Sequence, residues 1–256
     1  METTKIRVEP FLEGQALRVV LDAPKGNVLD GVMMGEILSL LDTLSDKREL
    51  KLLCFVGAGD HFSFGASVQE HVRDKAPAML KAFHGMFLRL ADLAIPTAAL
   101  VRGRCLGGGM ELAAFCNWVI AHPNALFGQP EIELGVLAPV ASVILPLKVG
   151  QGLADDLLLT GSIINADEAR KIGLVSRVSD DLEAALIELV AKQLGPKSPS
   201  SLRFAVRAAR WEWNRRLKQD IGAIEKLYLD DLMATHDANE GLASFLEKRR
   251  PTWTGA

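Results

Sequence analysis

Two glutamates, Glu111 and Glu131, follow turn signals and could serve as a general acid and a general base. Glu111 comes after the run Gly107-Gly108-Gly109, and Glu131 follows Pro130. Two carboxylates near one cavity can divide the roles of acid and base, because burial and mutual repulsion move their pKa values apart. The alternative is two unrelated surface acids, with Glu111 stabilising a helix dipole. Glu133 is predicted to be an ordinary solvent-facing or salt-bridged residue.

Backbone N–H groups beside these glutamates could bind a developing negative charge. Gly107, Gly108 and Gly109 lie between a predicted strand and a predicted helix, where backbone amides and the helix dipole favour an anion. Ala66, in the run HFSFGAS, could supply a second inward-pointing N–H. A pair of donors at Ala66 and Gly108 would form an oxyanion hole that stabilises an enolate. For each segment the alternative is an ordinary tight turn.

The elements around these segments predict an α/β fold. Apolar runs indicate buried strands, and helical spacing of apolar residues indicates helices between them. Strands are predicted at 16–21, 50–56, 97–101 and 174–178, and helices at 32–44, 79–93, 153–159, 166–172 and 182–194. Residues 195–201 read as a linker, and the chain after 202 reads as a helical hairpin that must pack against something, with another subunit as one candidate.

Composition narrows the class of protein. The 29 Lys and Arg nearly balance the 32 Asp and Glu, so the net charge of -3 gives no general attraction to nucleic acid or to acidic membranes. The three cysteines lack CxxC spacing and are expected to be reduced and buried. No apolar run is long enough to span a membrane, so a cytoplasmic location is expected. No HExxH, GxSxG or GxxxxGK[ST] motif occurs, and we expect no metal site.

Three segments in order, FSFGASVQEH, GRCLGGGMELA and FGQPEIELG, closely resemble the signature regions of the crotonase (enoyl-CoA hydratase/isomerase) superfamily. The C-terminal stretch from Thr235 to Pro251 resembles the last helix of that family. The resemblance implies a spiral of ββα units over residues 1–195 and a C-terminal helical trimerisation region over 196–256. It also implies a homotrimer or a dimer of trimers.

The same resemblance implies roles for individual residues. Ala66 and Gly108 would donate hydrogen bonds to a thioester oxygen, Glu111 would help to activate water, and Glu131 would handle the proton given to carbon. The substrate would be an acyl-CoA thioester, so CoA is part of the substrate and no separate cofactor is expected. The residues implied in binding it are Ala66, Ser67, Val68, Gly107 and Gly108. Phe245 and Lys248 would reach a neighbouring subunit's site, with a packed aromatic and a solvated lysine as the alternative for these two.

Departures from the usual family pattern bear on the acyl group. The run 138–143, APVASV, stands where straight-chain hydratases have a glycine-rich segment that shapes the acyl pocket. The runs HFSFGAS and GRCLGGGMELAAFCN resemble most closely the branch that hydrates conjugated cyclic dienoyl-CoA thioesters in anaerobic benzoyl-CoA degradation. A straight-chain 2-enoyl-CoA hydratase of β-oxidation is the alternative enzyme.

A function of another class is suggested by a basic and aromatic run near the C-terminus. Arg203, Arg207 and Arg210 share a helical face near Trp211 and Trp213, a combination that can bind RNA through phosphate contacts and base stacking. A solvated or inter-subunit helix face is the commoner reason for such a pattern, and no nucleic-acid partner is expected. His61 and His71, which flank the Ala66 segment, are predicted to be structural or solvated.

Overall fold

A six-stranded sheet forms the centre of the protein, which the computed structural model describes over residues 3–23 and 25–256. Its strands, from one edge to the other, are β1 (Ile6–Phe11), β2 (Ala16–Leu21), β3 (Leu52–Gly57), β4 (Thr97–Val101), β6 (Trp118–Ala121) and β9 (Arg177–Val178). β1 pairs antiparallel with β2, and the later pairings are parallel. Parallel strands need long crossover connections, and these connections carry the candidate site residues.

The central sheet separates two apolar cores, because successive residues of a strand point to opposite faces. On β3, Leu53 and Phe55 face the larger core, whereas Leu52 and Cys54 face a smaller one. Helix α7 (Leu182–Glu188) covers the smaller core. Both faces of the sheet are therefore buried, as is usual for parallel strands.

The helices around the larger core are α1 (Gly31–Thr43), α2 (Ala76–Leu93), α3 (Gly108–Phe115), α4 (Pro139–Val149), α5 (Gln151–Thr160), α6 (Ala166–Lys171), α9 (Trp211–Lys226) and α10 (His236–Leu246). Helix α8 (Pro199–Ala209) instead packs Leu202 against the smaller core. Short 3₁₀ turns occur at Val68–Glu70, Pro130–Leu134 and Leu232–Ala234, and π-helical turns at Leu189–Leu194 and Leu227–Asp231. No helix in residues 3–23 or 25–256 is long and apolar enough to cross a membrane.

A second, three-stranded sheet positions the glycine turn. It consists of β5 (Arg104–Leu106), β7 (Leu126–Gly128) and β8 (Ile163–Asn165), with β5 and β7 parallel. An isolated parallel bridge between Ser63 and Cys105 attaches the segment before Ala66 to β5. The Ala66 segment and the turn after β5 are therefore held side by side.

The C-terminal helices pack on the rest of the chain. Helix α9 contacts α2 and α4, and Leu217, Ile221 and Tyr228 are buried in the larger core. Residues 196–256 thus share their core with the preceding part, while assembly into a trimer stays a prediction.

Several predicted element bounds are wrong. The linker predicted at 195–201 is shorter, because α8 begins at Pro199 and the hydroxyl of Ser198 accepts a hydrogen bond from the Ser201 amide. The strand predicted at 174–178 is only Arg177–Val178, since the Val175 amide donates to the Ala169 carbonyl instead of pairing in the sheet. The helix predicted at 182–194 changes to a π-helical turn after Glu188. The three cysteines are buried and unpaired, as predicted.

Candidate active site

The glycine turn before α3 lies against both the Ala66 segment and Glu131. Gly107 has φ of 50°, and a Cβ at this position would lie 2.6 Å from Oε1 of Glu131. A Cβ on Gly108 would lie 3.1 Å from the Ala66 nitrogen. Only glycine combines a left-handed backbone with so close an approach. The run of glycines is therefore required by its neighbours.

The amides of Ala66 and Gly108 are available to a ligand. Both residues line the same cavity, and neither amide donates a hydrogen bond to an acceptor in the described parts of the chain. Gly108 is the first residue of α3, so its N–H is one of the groups that a helix leaves unpaired at its N-terminus. The predicted pair of donors is brought together beside one cavity.

Ser63 fixes the conformation that exposes the Ala66 amide. Its hydroxyl donates to the Asn27 carbonyl at 2.8 Å and accepts from the Gly65 amide at 3.1 Å, while its carbonyl accepts from the Leu106 amide at 2.9 Å. The segment is thus tied to two other parts of the fold.

Glu111 is buried and held by the first turn of a neighbouring helix. Its side chain is 2 % exposed, and Oε1 accepts a hydrogen bond from the Ala141 amide of α4 at 2.7 Å. Burial raises the pKa of the Glu111 carboxyl, and the hydrogen bonds from the Ala141 and Val140 amides oppose that rise. The structure therefore excludes the alternative of a surface acid for Glu111.

Glu131 lies on the 3₁₀ turn Pro130–Leu134 and is partly buried at the wall of the same cavity. The side-chain amide of Gln129, with its nitrogen toward the carboxylate, donates to the two Glu131 oxygens at 3.2 and 2.9 Å. Burial and the nearby charge of Glu111 raise the pKa of Glu131. Glu133, on the same turn, is exposed as predicted.

The rest of the cavity is mostly apolar. Its walls include Val68, Met79, Leu80, Phe83, Leu134 and Val136. Ala138 and Pro139, at the start of α4, complete the wall in the region that the sequence associates with the acyl pocket. A cavity of this kind, with a few convergent polar groups, is typical of a small-molecule site.

Not every predicted binding residue lines this cavity. Ala66, Val68, Gly107 and Gly108 do so. Ser67 does not, and its carbonyl instead accepts from the ring of His71 at 2.8 Å. Phe245 is 53 % exposed, and neither it nor Lys248 lines the cavity within one chain. A contribution of these two to a neighbouring site stays a prediction.

Two cations, Arg210 and Lys148, hold the far end of α3, a role that the sequence pattern does not indicate for either. Arg210 donates to the Phe115 and Cys116 carbonyls at 2.7 and 2.9 Å, and Nζ of Lys148 donates to the Cys116 carbonyl at 3.2 Å. Cations favour the C-terminal end of a helix dipole, so they stabilise the helix that carries Gly108 and Glu111. Burial lowers the pKa of Lys148 to about 8.

The basic face considered for RNA binding is largely engaged inside the protein. Arg203 donates to the Leu93 and Lys47 carbonyls at 3.1 and 2.7 Å, and Arg210 is bound to the end of α3 and lies 4.4 Å from the ring of Trp213. Two of the three arginines, Arg203 and Arg210, therefore bind backbone carbonyls of the protein itself. Within residues 3–23 and 25–256 there is no cluster of three or more side chains suited to a metal ion.

Comparisons with known proteins identify the family of the chain. Residues 13–256 match the family model described as "Enoyl-CoA hydratase/isomerase". The chain is 46% identical over 241 residues to a cyclohexa-1,5-dienecarbonyl-CoA hydratase from Thauera aromatica, covering 94% of this chain and 93% of that protein. It is 35% identical to a crotonyl-CoA hydratase from Syntrophomonas wolfei, with 90% and 91% covered.

The fold is shared with solved structures. An enoyl-CoA hydratase/isomerase from Xanthobacter autotrophicus Py2 superposes with a TM-score of 0.83 at 28% identity, covering 97% of this chain and 98% of that one. The predicted crotonase-like α/β fold is thus confirmed. The chain is an enzyme and belongs to the enoyl-CoA hydratase/isomerase family.

Proposed function

We propose that the protein adds water reversibly to cyclohexa-1,5-diene-1-carbonyl-CoA and forms 6-hydroxycyclohex-1-ene-1-carbonyl-CoA. Hydratase action on an unsaturated acyl-CoA thioester, whatever its acyl group, is supported by the hydratases to which the chain is similar. The observation that carries the proposal is the convergence of two carboxylates, Glu111 and Glu131, with the free amides of Ala66 and Gly108 at one cavity.

The two amides are proposed to form the oxyanion hole. When hydroxide adds to the β-carbon, an electron pair moves through the conjugated system onto the thioester oxygen, and that oxygen becomes negative. Donors that are already in place at Ala66 and Gly108 stabilise this charge without reorganising during the reaction. The N-terminal end of α3 adds a favourable dipole.

The two carboxylates are proposed to supply base and acid. Glu111 accepts a proton from water while the water oxygen bonds to the β-carbon. Glu131 donates a proton to a distal ring carbon as the dienolate collapses, which restores the thioester carbonyl and leaves one double bond. One proton is taken and one is given, so the pair returns to its starting charge after proton exchange between its members or with solvent.

Two features favour the cyclic acyl group over a straight chain. One is the identity of 46% to the Thauera aromatica hydratase, beside 35% to the crotonyl-CoA hydratase. The other is the apolar wall that Ala138 and Pro139 form where α4 begins, in place of the glycine-rich segment of straight-chain hydratases. We infer that side chains at this wall suit a compact ring better than an extended chain.

The setting of the reaction is part of the proposal. The enzyme would serve the anaerobic degradation of benzoyl-CoA in the cytoplasm. It would work as a homotrimer or a dimer of trimers, in which Phe245 and Lys248 contact CoA bound to the neighbouring subunit.

A direct comparison of substrates tests the proposal. Steady-state hydration of cyclohexa-1,5-diene-1-carbonyl-CoA and of crotonyl-CoA is followed by absorbance and by product mass. We expect a higher kcat/KM for the cyclic diene. Equal or faster turnover of crotonyl-CoA would support a hydratase but contradict the cyclic substrate. If neither thioester is hydrated, the hydratase reaction itself is contradicted.

A further inference from the structure

A turn with a left-handed backbone lies beside the segment that carries Ala66. Its residues Lys25, Gly26 and Asn27 have φ of 72°, 138° and 50°. Glycine adopts such angles freely, whereas other residues hold them only where surrounding contacts support them. Asn27 is 3 % exposed and does not line the cavity. A buried polar side chain in a left-handed turn needs hydrogen-bond partners, and those of Asn27 show what the turn holds.

The side chain of Asn27 ties the turn to the loop after β3. Its Oδ1 accepts from the Ala23 amide at 3.1 Å. Its Nδ2 donates to three backbone carbonyls that follow β3, those of Ala58, His61 and Phe62, at 3.0, 2.9 and 3.2 Å. Both hydrogens of the side-chain amide and its oxygen are therefore used inside the protein.

The backbone of the turn binds the next residues of the same loop. The Gly26 carbonyl accepts from the Phe64 amide at 2.8 Å, and the Asn27 carbonyl accepts from the Ser63 hydroxyl at 2.8 Å. The side chain and the carbonyl of Asn27 thus hold successive residues of the loop that leads to Ala66.

A β-bridge two residues after Asn27 sets the direction of the Ala66 amide. The Leu29 amide donates to the Gly65 carbonyl at 2.9 Å, and the Leu29 carbonyl accepts from the Ser67 amide at 3.2 Å, which forms a parallel bridge to Ala66. In an extended chain, the N–H groups of successive residues point to opposite sides. Because the Ser67 N–H points at Leu29, the Ala66 N–H points away from Leu29, on the side where Gly108 lies.

We propose that Asn27 is a positioning residue of the oxyanion hole: it fixes the turn at 25–27, keeps Leu29 in register, and so directs the Ala66 N–H at the thioester oxygen. The inference rests on the proposed function, because it concerns one of the two donors of the proposed oxyanion hole. Asn27 acts through Ser63 and Leu29 and does not touch the substrate. Since donors that are fixed in advance stabilise charge without reorganising, a small displacement of Ala66 weakens the oxyanion hole.

The infrared stretching frequency of a bound thioester carbonyl tests the proposal. The ligands are cyclohexanecarbonyl-CoA and butyryl-CoA, isotope-labelled at the carbonyl carbon, and neither has a double bond to hydrate. A donated hydrogen bond weakens the C=O bond, so binding to the parent should lower the frequency for at least one ligand. Asn27→Gly suits the backbone of the turn but lacks the side chain, and it should lose about half of this shift, because one of two donors is displaced.

Kinetics separate positioning from binding. Asn27→Gly should lower kcat for hydration about tenfold and change KM little, because the Ala66 amide acts mainly on charge that develops during the reaction. Ser63→Ala leaves the turn unchanged and removes the hydroxyl between the Asn27 carbonyl and the Gly65 amide. It should show a smaller loss of the same frequency shift, and it decides the question if Asn27→Gly does not fold.

Asn165→Ala is the control for lost stability, because it removes the N-terminal cap of α6, away from the cavity. We expect a less stable protein with the full frequency shift and unchanged kcat. The full shift in Asn27→Gly or in Ser63→Ala, or an equal loss in Asn165→Ala, would overturn the role of Asn27 and leave the hydratase intact. A parent that binds the thioesters without lowering the carbonyl frequency would contradict the oxyanion hole, and the proposed function with it.

Discussion

The two sides of the cavity hold their carboxylates differently. Glu111 is 2 % exposed and accepts from the first turn of α4, whereas Glu131 lies on a short 3₁₀ turn, partly buried, with a side-chain amide as its donor. The pKa of each is raised by burial, and that of Glu131 is raised further by the charge of Glu111. Two acids of one type thus face unequal environments.

This difference indicates how the roles divide. The α4 amides favour the ionised form of Glu111, which suits a base, while repulsion from Glu111 favours a proton on Glu131, which suits an acid. Because the groups interact, apparent pKa values belong to the pair, and we expect the pair to share one proton near neutral pH. Substitutions on one side of the cavity at a time can separate the two roles.

The largest expected effect comes from removing either carboxylate. Glu111→Gln and Glu131→Gln should each lower kcat for hydration by about 10²-fold or more, because neither amide can exchange a proton. Glu133→Gln on the same turn as Glu131 is the control and should leave kcat unchanged. Full activity in either of the first two variants would break the division into base and acid.

A smaller loss is expected when Glu131 is displaced without being removed. Gly107→Ala places a Cβ where the Glu131 oxygen lies, and kcat should fall about tenfold to a hundredfold, as for a displacement near 1 Å. Gly14→Ala is the matched control. Gly14 has a similar positive φ of 78° but open space around its Cβ position, so its activity should be unchanged while stability falls. Equal kcat values for both variants would remove the steric role of Gly107.

Replacing Glu111 should lower activity but raise the free energy of unfolding at alkaline pH. A folded-state pKa above the ordinary value of 4.5 means that the folded protein binds more protons than the unfolded chain. Stability therefore falls as pH rises from about 4.5 through the raised pKa. Glu111→Gln removes this loss, so the variant should be more stable than the parent by about 1–2 kcal/mol at pH 8 and no more stable near pH 4.5.

Urea unfolding at both pH values measures this effect. The exposed Glu133→Gln variant controls for the change in net charge. A Glu111→Gln variant that is less stable than the parent at pH 8 would show that Glu111 is stabilised in its charged form, contrary to the raised pKa.

The smallest effect is expected at Gln129. Its amide favours the charged form of Glu131 by donating to both oxygens, so Gln129→Leu should raise the pKa of Glu131 further. The alkaline limb of the pH–rate profile should move upward by less than about one pH unit. A downward movement would show that the amide favours the protonated form instead.

The sequence predicts the parts of this site that depend on local pattern. Gly107 to Gly109 and Pro130 mark turns that need particular backbone geometry, and such residues can be recognised without knowing what they contact. Long buried elements were equally predictable. Strand β4 (Thr97–Val101) occurs as predicted, and α2 begins at Ala76, three residues before its predicted start.

Other features depend on contacts between distant segments and have no local signal. β5 and β8 have three residues each, too few for a period to be read. His71 is a lone histidine that the fold brings to the wall of the cavity, and nothing in its neighbouring residues indicates this position. The spacing places Arg210 on an RNA-binding, solvated or inter-subunit helix face, whereas its guanidinium binds the carbonyls at the end of α3. Helical spacing shows which residues share a face but not what covers that face.

The pH dependence of kcat/KM for hydration most directly tests whether the pair shares one proton. A protonated base at low pH and a deprotonated acid at high pH should each stop the reaction, giving a bell-shaped profile with both limbs above the ordinary pKa of a glutamate. The residual kcat/KM of Glu111→Gln should no longer show a bell-shaped dependence on pH. A parent profile that is flat between about pH 5 and 9 would contradict a shared proton between Glu111 and Glu131.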